Sequence, residues 1–472
     1  MRGFKRISRK GEIHFFSLAT PSQMANSSAM FTEQDAADTL THLQNLIRID
    51  TTNPPGNELQ ACLYLKNVFE KEGLDYQILE SFPGRANIIA RLKGDGSLKP
   101  LLLTSHLDVV PAEQDKWEVD PFSGEIRDGF IWGRGAVDMK QMTALELATI
   151  LKAKRDGVKL KRDLIFAAIA DEEAGCRYGS KWLVENHPEL INAEYALNEV
   201  GGFSLTVDEN IFYPIGVAQK GVCWFKIVSI GTPGHGAMPH DDQAIEHVCF
   251  AAHKLSNEGL PFHATKIVSE FVSEIAARQK FPKNFILKGI AKKPFSNFIL
   301  GNLMPDKVKA KNFKNMFRNL ATPTMMQAGQ KENVIPSSAS VTFDGRVLPE
   351  HTVAGFLAEV QNLIGPRFKI EIIHQEEPSA IKDYDDAFFG ILKTSLKKFD
   401  KDAIPVPFLI PGYTDATHYQ KIGIKCYGFA PTKLPPDLNF SALYHGHNER
   451  LPVSALGFGL NVMWDVVESS AR

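Results

Sequence analysis

The sequence predicts an α/β protein, a sheet with helices on both faces, interrupted by an inserted α+β domain. Three observations carry this expectation. Apolar runs at Leu101–Thr104, Leu164–Ala170 and Tyr195–Leu197 read as buried strands. Helical patterns alternate with the strands up to Glu199. From Val222 to Ile373 the pattern changes to the ferredoxin-like order, strand–helix–strand–strand–helix–strand.

In chain order, Thr32-Glu33-Gln34-Asp35 precedes Ala36, Leu40, Leu43, Leu46 and Ile47, spaced three to four apart. That is an N-capped amphipathic helix. It ends before Thr51-Thr52-Asn53-Pro54-Pro55-Gly56, a loop that turns the chain back. A second helix is expected from about Glu58 to Lys71, stopped by Gly73, with strands over Tyr76–Leu79 and Asn87–Leu92. The inserted domain, 216–378, holds strands at Val222–Ile230, Val334–Phe343 and Phe368–Ile373 and helices at Gln243–Leu255 and Val353–Leu363. It divides a first domain made of 31–215 and 379–472, whose later helices are Phe388–Phe399 and Val453–Val467.

Two stretches fit neither domain pattern. Residues 1–30 carry five Lys or Arg in the first ten positions, and Glu12 is the only acid before Glu33. The apolar run Phe15–Ala19 is too short for a secretory or membrane-spanning segment. An organelle transit peptide, a disordered tail, or a true start at Met30 all fit this leader. Ile275–Leu320 has eleven Lys or Arg and one acid, Asp306, interleaved with Phe281, Phe285, Phe295, Phe298, Phe313 and Phe317. It reads either as a solvated basic face over packed helices or as a contact for a partner, a membrane surface or an acidic substrate.

The bulk numbers exclude several classes. At 472 residues with 44% apolar and 23% charged residues, the chain has an ordinary globular composition. A net charge of −2 gives no argument for nucleic acid or a membrane as a general partner, and no apolar run is long enough for stable membrane insertion. The five cysteines, Cys62, Cys176, Cys223, Cys249 and Cys426, are scattered and odd in number. They point to a reducing, cytoplasmic setting without a disulfide framework.

The chemistry gathers where strands end. Leu101–Thr104 runs into Ser105-His106-Leu107-Asp108, and a histidine with a neighbouring carboxylate suits a metal ligand held by a partner. Thirty residues after Asp108, Gly133-Arg134-Gly135-Ala136-Val137-Asp138 places a carboxylate before a helix, where backbone N–H groups can orient it. Two further apolar runs end in Asp171-Glu172-Glu173-Ala174-Gly175 and Asn198-Glu199. Open α/β sheets place ligands at such strand ends. Near the C-terminus stands Tyr444-His445-Gly446-His447-Asn448-Glu449.

Five ordered motifs, SHLDVVP, GRGAVDMK, ADEEAG, NEVGG and HGHNE, resemble the M20 metallopeptidase family of dizinc carboxypeptidases, aminoacylases and desuccinylases. The resemblance spans Thr32 to the C-terminus and implies a zinc-peptidase-like mixed sheet with an inserted lid or dimerisation domain. It implies two Zn2+ per subunit, with Co2+ or Mn2+ as substitutes. His106 and Glu199 would hold one ion, Glu173 and His445 the other, and Asp138 would bridge them. Asp108 would orient His106. Glu172 would be the general base that takes a proton from a water held between the ions, leaving a hydroxide, and passes it to the leaving amine. The order of roles within Glu172-Glu173 stays open, and His447 competes with His445.

The inserted domain carries further family marks. Gly231-Thr232-Pro233-Gly234-His235 resembles the segment whose histidine reaches the scissile carbonyl, often from the partner subunit of a homodimer. Asn333 and Arg346 resemble residues that grip a substrate carboxylate, a task suited to the planar guanidinium. Gly412 and Thr414 match a glycine-rich substrate loop, in which Tyr413 replaces the usual small residue. Trp117–Phe122, Ile131–Gly135 and the Phe-rich insertion look most like the carboxypeptidase S and N-acyl-amino-acid hydrolase branch. The implied activity is cleavage of an amide bond in a small peptide or N-acyl amino acid. Alternatives are a fold retained as a binding or scaffold module, and a metalloaminopeptidase.

Overall fold

The computed structural model describes residues 30–303 and 307–472, so residues 1–29 of the basic leader and Asp306 lie outside the described residues. The chain divides into two compact units. One holds the chain up to Ile215, Asp383–Pro405 and His418–Arg472; the other holds Gly216–Lys382 and Val406–Thr417. This division differs from the sequence-based one at Val406–Thr417, which includes Gly412 and Thr414. Within that second unit the Thr414 hydroxyl donates to Gln219 Oε1 at 2.6 Å, a tie that no local pattern announces.

The first unit is built on a mixed sheet. Its strands run in the order Tyr76–Phe82, Arg85–Leu92, Leu164–Ile169, Leu101–His106, Tyr195–Asn198, Lys425–Gly428. The first three pair antiparallel, and the last four pair parallel. Every residue of Leu101–His106 and Leu164–Ile169 is buried, so both faces of the sheet centre are covered. Two adjacent hydroxyls identify the covers, because successive strand residues face opposite ways. Ser105 donates to Glu146 of the helix Lys140–Arg155 at 2.7 Å. Thr104 bonds Tyr419 at 2.9 Å on the other face.

The first helix, Glu33–Arg48, begins with a capping box. Thr32 Oγ1 accepts the Asp35 N–H, and the Asp35 carboxylate accepts the Thr32 N–H at 2.8 Å. It buries Ala36, Leu40, Leu43, Leu46 and Ile47, the residues that its spacing singles out. Lys140, fully buried, donates to Leu46 O at 2.9 Å and Ile49 O at 2.8 Å. An ammonium there satisfies carbonyls that the helix end leaves unpaired. It also ties that helix to the one that begins just after Asp138.

The second unit holds a four-stranded antiparallel sheet in the order Leu320–Ala328, Ser338–Val347, Gly221–Ile230, Lys369–Glu376. With the helices Ala244–Asn257 and Val353–Ile364, this is the ferredoxin-like arrangement. Cys223, Phe225 and Ile227 alternate into a core with Val341, Phe343, Val248, Leu255, Phe356 and Val360. Sequence reading named three of its four strands. Leu320–Ala328 escaped because it is an edge strand, mostly exposed, with Pro323 beside an irregular register. The expected single strand Val334–Phe343 is broken. Val334–Ile335 pairs with Gly234–His235, and a separate strand, Ser338–Val347, begins beyond Pro336.

Candidate metal centre

Three parallel strands fix the location of the centre. His106 is in register with Ile169, so the ends of Leu101–His106 and Leu164–Ile169 are level. Tyr195–Asn198 runs in the same direction beside them. The residues at and beyond each strand end therefore emerge at one edge of the sheet: His106 itself, then Asp171–Glu173, then Glu199.

Asp138 joins two groups of side chains. His106, Asp138 and Glu199 offer ligand atoms within 4.8 Å of one another, as do Asp138, Glu173 and His445. His106 Nε2 lies 3.2 Å from Asp138 Oδ1 and 3.8 Å from Glu199 Oε2. His445 Nε2 lies 3.2 Å from Asp138 Oδ2 and 3.1 Å from Glu173 Oε2. His447 is elsewhere, 3.9 Å from Glu113.

The electrostatics of the group call for positive charge. Burial pushes the His106 imidazole down, yet Asp108, Asp138 and Glu199 hold it well above its ordinary value. Hydrogen bonds to Asp138 and Glu173 raise His445 to about 10. Burial and the Asp138 charge push Glu173 up. Asp138, despite burial, is held low by His106 and His445. Glu173 Oε1 is buried and has no hydrogen-bond partner. Imidazole nitrogen and carboxylate oxygen are the donors that zinc takes, and a buried carboxylate oxygen without a hydrogen-bond partner in this group fits a cation there.

A surrounding set of bonds holds these groups in place. His106 Nδ1 lies 3.0 Å from the Asp108 carbonyl and 3.5 Å from its Oδ1. The Asp108 carboxylate accepts the N–H groups of Glu172 and Glu173, each at 3.1 Å, and the Asn53 amide at 2.8 Å. Asn53 also reaches Asp171, which pairs with Arg85 at 2.8 Å; Arg85 is in turn held by buried Glu58 at 2.7 Å. The Thr51–Gly56 loop therefore braces the acidic turn.

The N–H groups before the Lys140 helix do orient a carboxylate, but it is that of Glu449. Its Oε1 accepts Val137 N–H at 2.6 Å and Asp138 N–H at 3.0 Å; Oε2 accepts Gly135 N–H at 3.2 Å and Arg134 at 2.6 Å. Burial pushes Glu449 up to about 7 even with Arg134 beside it. The sequence names Glu449, Arg134, Asn53 and Asp171 within its motifs and loops but gives them no such roles, and Arg85 stands outside every motif. Gly446 is a matter of space: a Cβ there would lie 2.2 Å from Ala442 O.

The remaining expected residues lie in the second unit. His235 is exposed, and its Nδ1 accepts the Ala237 N–H at 3.1 Å. Its strand pairs with Val334–Ile335, beside exposed Asn333, whose carbonyl accepts the Gly236 N–H at 2.8 Å. Arg346 Nε donates to both Asp344 oxygens, at 3.0 and 3.1 Å. Gly412 is half-buried, and Thr414 is buried against Gln219. A further His-Glu group, His263, His351 and Glu359, also lies in this unit. There Glu359 uses one oxygen on His263 at 2.6 Å and the other on Asn319 at 2.8 Å, so its bonding capacity is met internally.

A sheet whose edge gathers acids and histidines around a shared aspartate is the arrangement of a metal-dependent hydrolase. The chain matches Peptidase family M20/M25/M40 over residues 102–469 and belongs to that family. It is 27% identical to Aminoacylase-1 of Sus scrofa over 445 residues, 92% of this chain and 95% of that one. It is 30% identical to the N-fatty-acyl-amino acid synthase/hydrolase PM20D1 of Mus musculus over 376 residues, 76% of this chain and 72% of that one. Among solved structures, an M20 family metallo-carboxypeptidase from Sulfolobus solfataricus has the same fold with a TM-score of 0.68 at 16% identity. That match covers 91% of this chain and 98% of the other. Among the described residues, no helix is long and apolar enough to cross a membrane.

Proposed function

We propose that this hydrolase cleaves the amide bond of N-acyl amino acids, and of small peptides with a free carboxylate, using two zinc ions. The observation that carries the reading is Asp138, whose two oxygens each face a histidine, at 3.2 Å on either side. His106 and Glu199 would complete one ligand set and Glu173 and His445 the other, with Co2+ or Mn2+ able to substitute. When bound, the ions lower the pKa of water and polarise the carbonyl.

The chain's own groups supply the rest. Glu172 takes the proton of the attacking water and delivers it to the leaving amine. Asp108 fixes the start of that side chain by accepting the Glu172 N–H. His235 donates to the developing oxyanion. The Arg346 guanidinium, held by Asp344, would pair with the substrate carboxylate, and Asn333, Gly412 and Thr414 would serve the same substrate on this reading. The names of the relatives, aminoacylase and N-fatty-acyl-amino acid hydrolase, support the substrate class.

Pairing of two copies through the second unit is part of this reading. Leu320–Ala328 is an exposed edge strand whose outer backbone groups can pair with a second chain. Light scattering of the full chain, with and without Met325→Pro, tests it.

The catalytic test is a panel of N-acyl amino acids and dipeptides, with chelator and metal add-back, on the parent protein and Glu172→Gln. Turnover should fall by orders of magnitude in the variant while metal content stays near two per chain. Undiminished turnover refutes the assignment of the base. Activity that survives full removal of metal refutes the metal mechanism.

A further inference from the structure

The helices between Ile275 and Leu303 partition their side chains against the usual rule. Six Lys or Arg and no acid occupy positions 275–303. Helix Lys283–Ile290 buries Ile290 completely but leaves Phe285 77% exposed, and Phe281, just before it, 84% exposed. Helix Lys293–Phe298 buries Ser296 to 1% while Phe295 and Phe298 are 56% and 58% exposed. Ile299 and Leu300 turn inward. The inner packing is thus made by aliphatic residues and a serine, and four aromatic rings are turned outward. Lys280, Lys283, Lys288, Lys292 and Lys293 are exposed among them.

We propose that this face of the second unit is a docking surface for an anionic lipid bilayer. Scattered exposed apolar residues are ordinary, but four rings in a run of eighteen residues among cations are a pattern with its own physics. Phenylalanine inserts below headgroups, and lysine stays at headgroup level to meet lipid phosphate and carboxylate. A purely acidic protein face would satisfy the lysines but leave the rings in water. A second copy of this chain would bring a like-charged face against it. An anionic lipid surface satisfies both kinds of side chain at once. The depth is that of peripheral binding, since no described helix is long and apolar enough to span.

The test is sedimentation of the full chain with sucrose-loaded vesicles of phosphatidylcholine, with and without phosphatidylserine at about one lipid in three, at low salt. The expected result is binding that rises at least about tenfold with phosphatidylserine and is released by ~0.5 M NaCl. Two variants separate the contributions. Lys288→Glu/Lys292→Glu/Lys293→Glu should abolish the preference for phosphatidylserine. Phe281→Ser/Phe285→Ser/Phe295→Ser/Phe298→Ser should lower binding at least about tenfold with an unchanged far-UV circular dichroism spectrum. Three results would each overturn the proposal. One is no binding to either vesicle; another is equal binding by parent and four-Ser protein. The third is self-association lost in the four-Ser variant without vesicle binding in the parent.

Discussion

The Asp108 carboxylate accepts the backbone N–H of Glu172 at 3.1 Å, and its second oxygen does the same for Glu173. One side chain thus sets the positions of two acids more than sixty residues away in sequence. It does so while its Oδ1 stands 3.5 Å from His106 Nδ1. The motif by itself points only to Asp108 orienting the histidine.

Replacing Asp108 should therefore disturb both halves of the centre. In Asp108→Asn one acceptor becomes a donor aimed at a backbone N–H. Metal affinity should fall about 10–100-fold, the usual effect of losing a group that holds a ligand. Zinc retained against a graded series of chelators measures it. Retention equal to that of the parent protein would show that the turn holds itself.

Metal stoichiometry should distinguish the bridging residue from the terminal ones. His445→Ala removes a donor from one group only, since His106 and Glu199 are untouched. Two ions per chain should become one. Asp138→Asn weakens both groups and should leave well under one after dialysis. Elemental analysis reads the ratio; equal losses in the two variants would argue against a shared aspartate.

Glu449 and Arg134 form a fully buried pair at 2.6 Å. Removing one member leaves the other charge uncompensated, so Glu449→Gln should cost roughly 3–5 kcal/mol in urea unfolding of the metal-free protein. The double change Arg134→Met/Glu449→Met should recover part of that loss. A cost below about 0.5 kcal/mol would show that buried Arg134 needs no charged partner at that position.

Lys220 supplies a pH prediction away from the centre. It is buried, donates to Asn315 O at 2.7 Å and Arg318 O at 2.9 Å, and is pushed down to about 7 by burial, with Arg346 adding to the effect. In the unfolded chain it titrates near 10.4. Between those values the unfolded chain holds the extra proton, so folding stability rises with pH, by up to about 1.4 kcal/mol per pH unit. Lys220→Met should flatten that rise between pH 7.5 and 9. Parallel slopes in the two proteins would mean that Lys220 stays charged when folded.

Much of the framework was readable from local sequence because local physics generates it. The spacing of Ala36, Leu40, Leu43 and Leu46 marks a helix face, and the apolar runs before His106 and Asp171 mark strands buried on both sides. The edge strand Leu320–Ala328 was not readable, because an exposed strand with a proline carries no alternation. The linking roles of Glu449, Asn53 and Lys140 were equally silent. Each depends on a partner dozens to hundreds of residues away, and no periodicity records such a contact.

By itself the sequence determined the identity and order of the chemical groups: two histidines and the acids that stand at strand ends and junctions. Tertiary structure alone decided that both oxygens of Asp138 are shared between His106 and His445, and that the junction N–H groups serve Glu449 rather than Asp138. The reason is directional. Composition and spacing fix which atoms are available, but a carboxylate's partners depend on the angle at which separate segments meet, and parallel strands in register set that angle only once the sheet has formed.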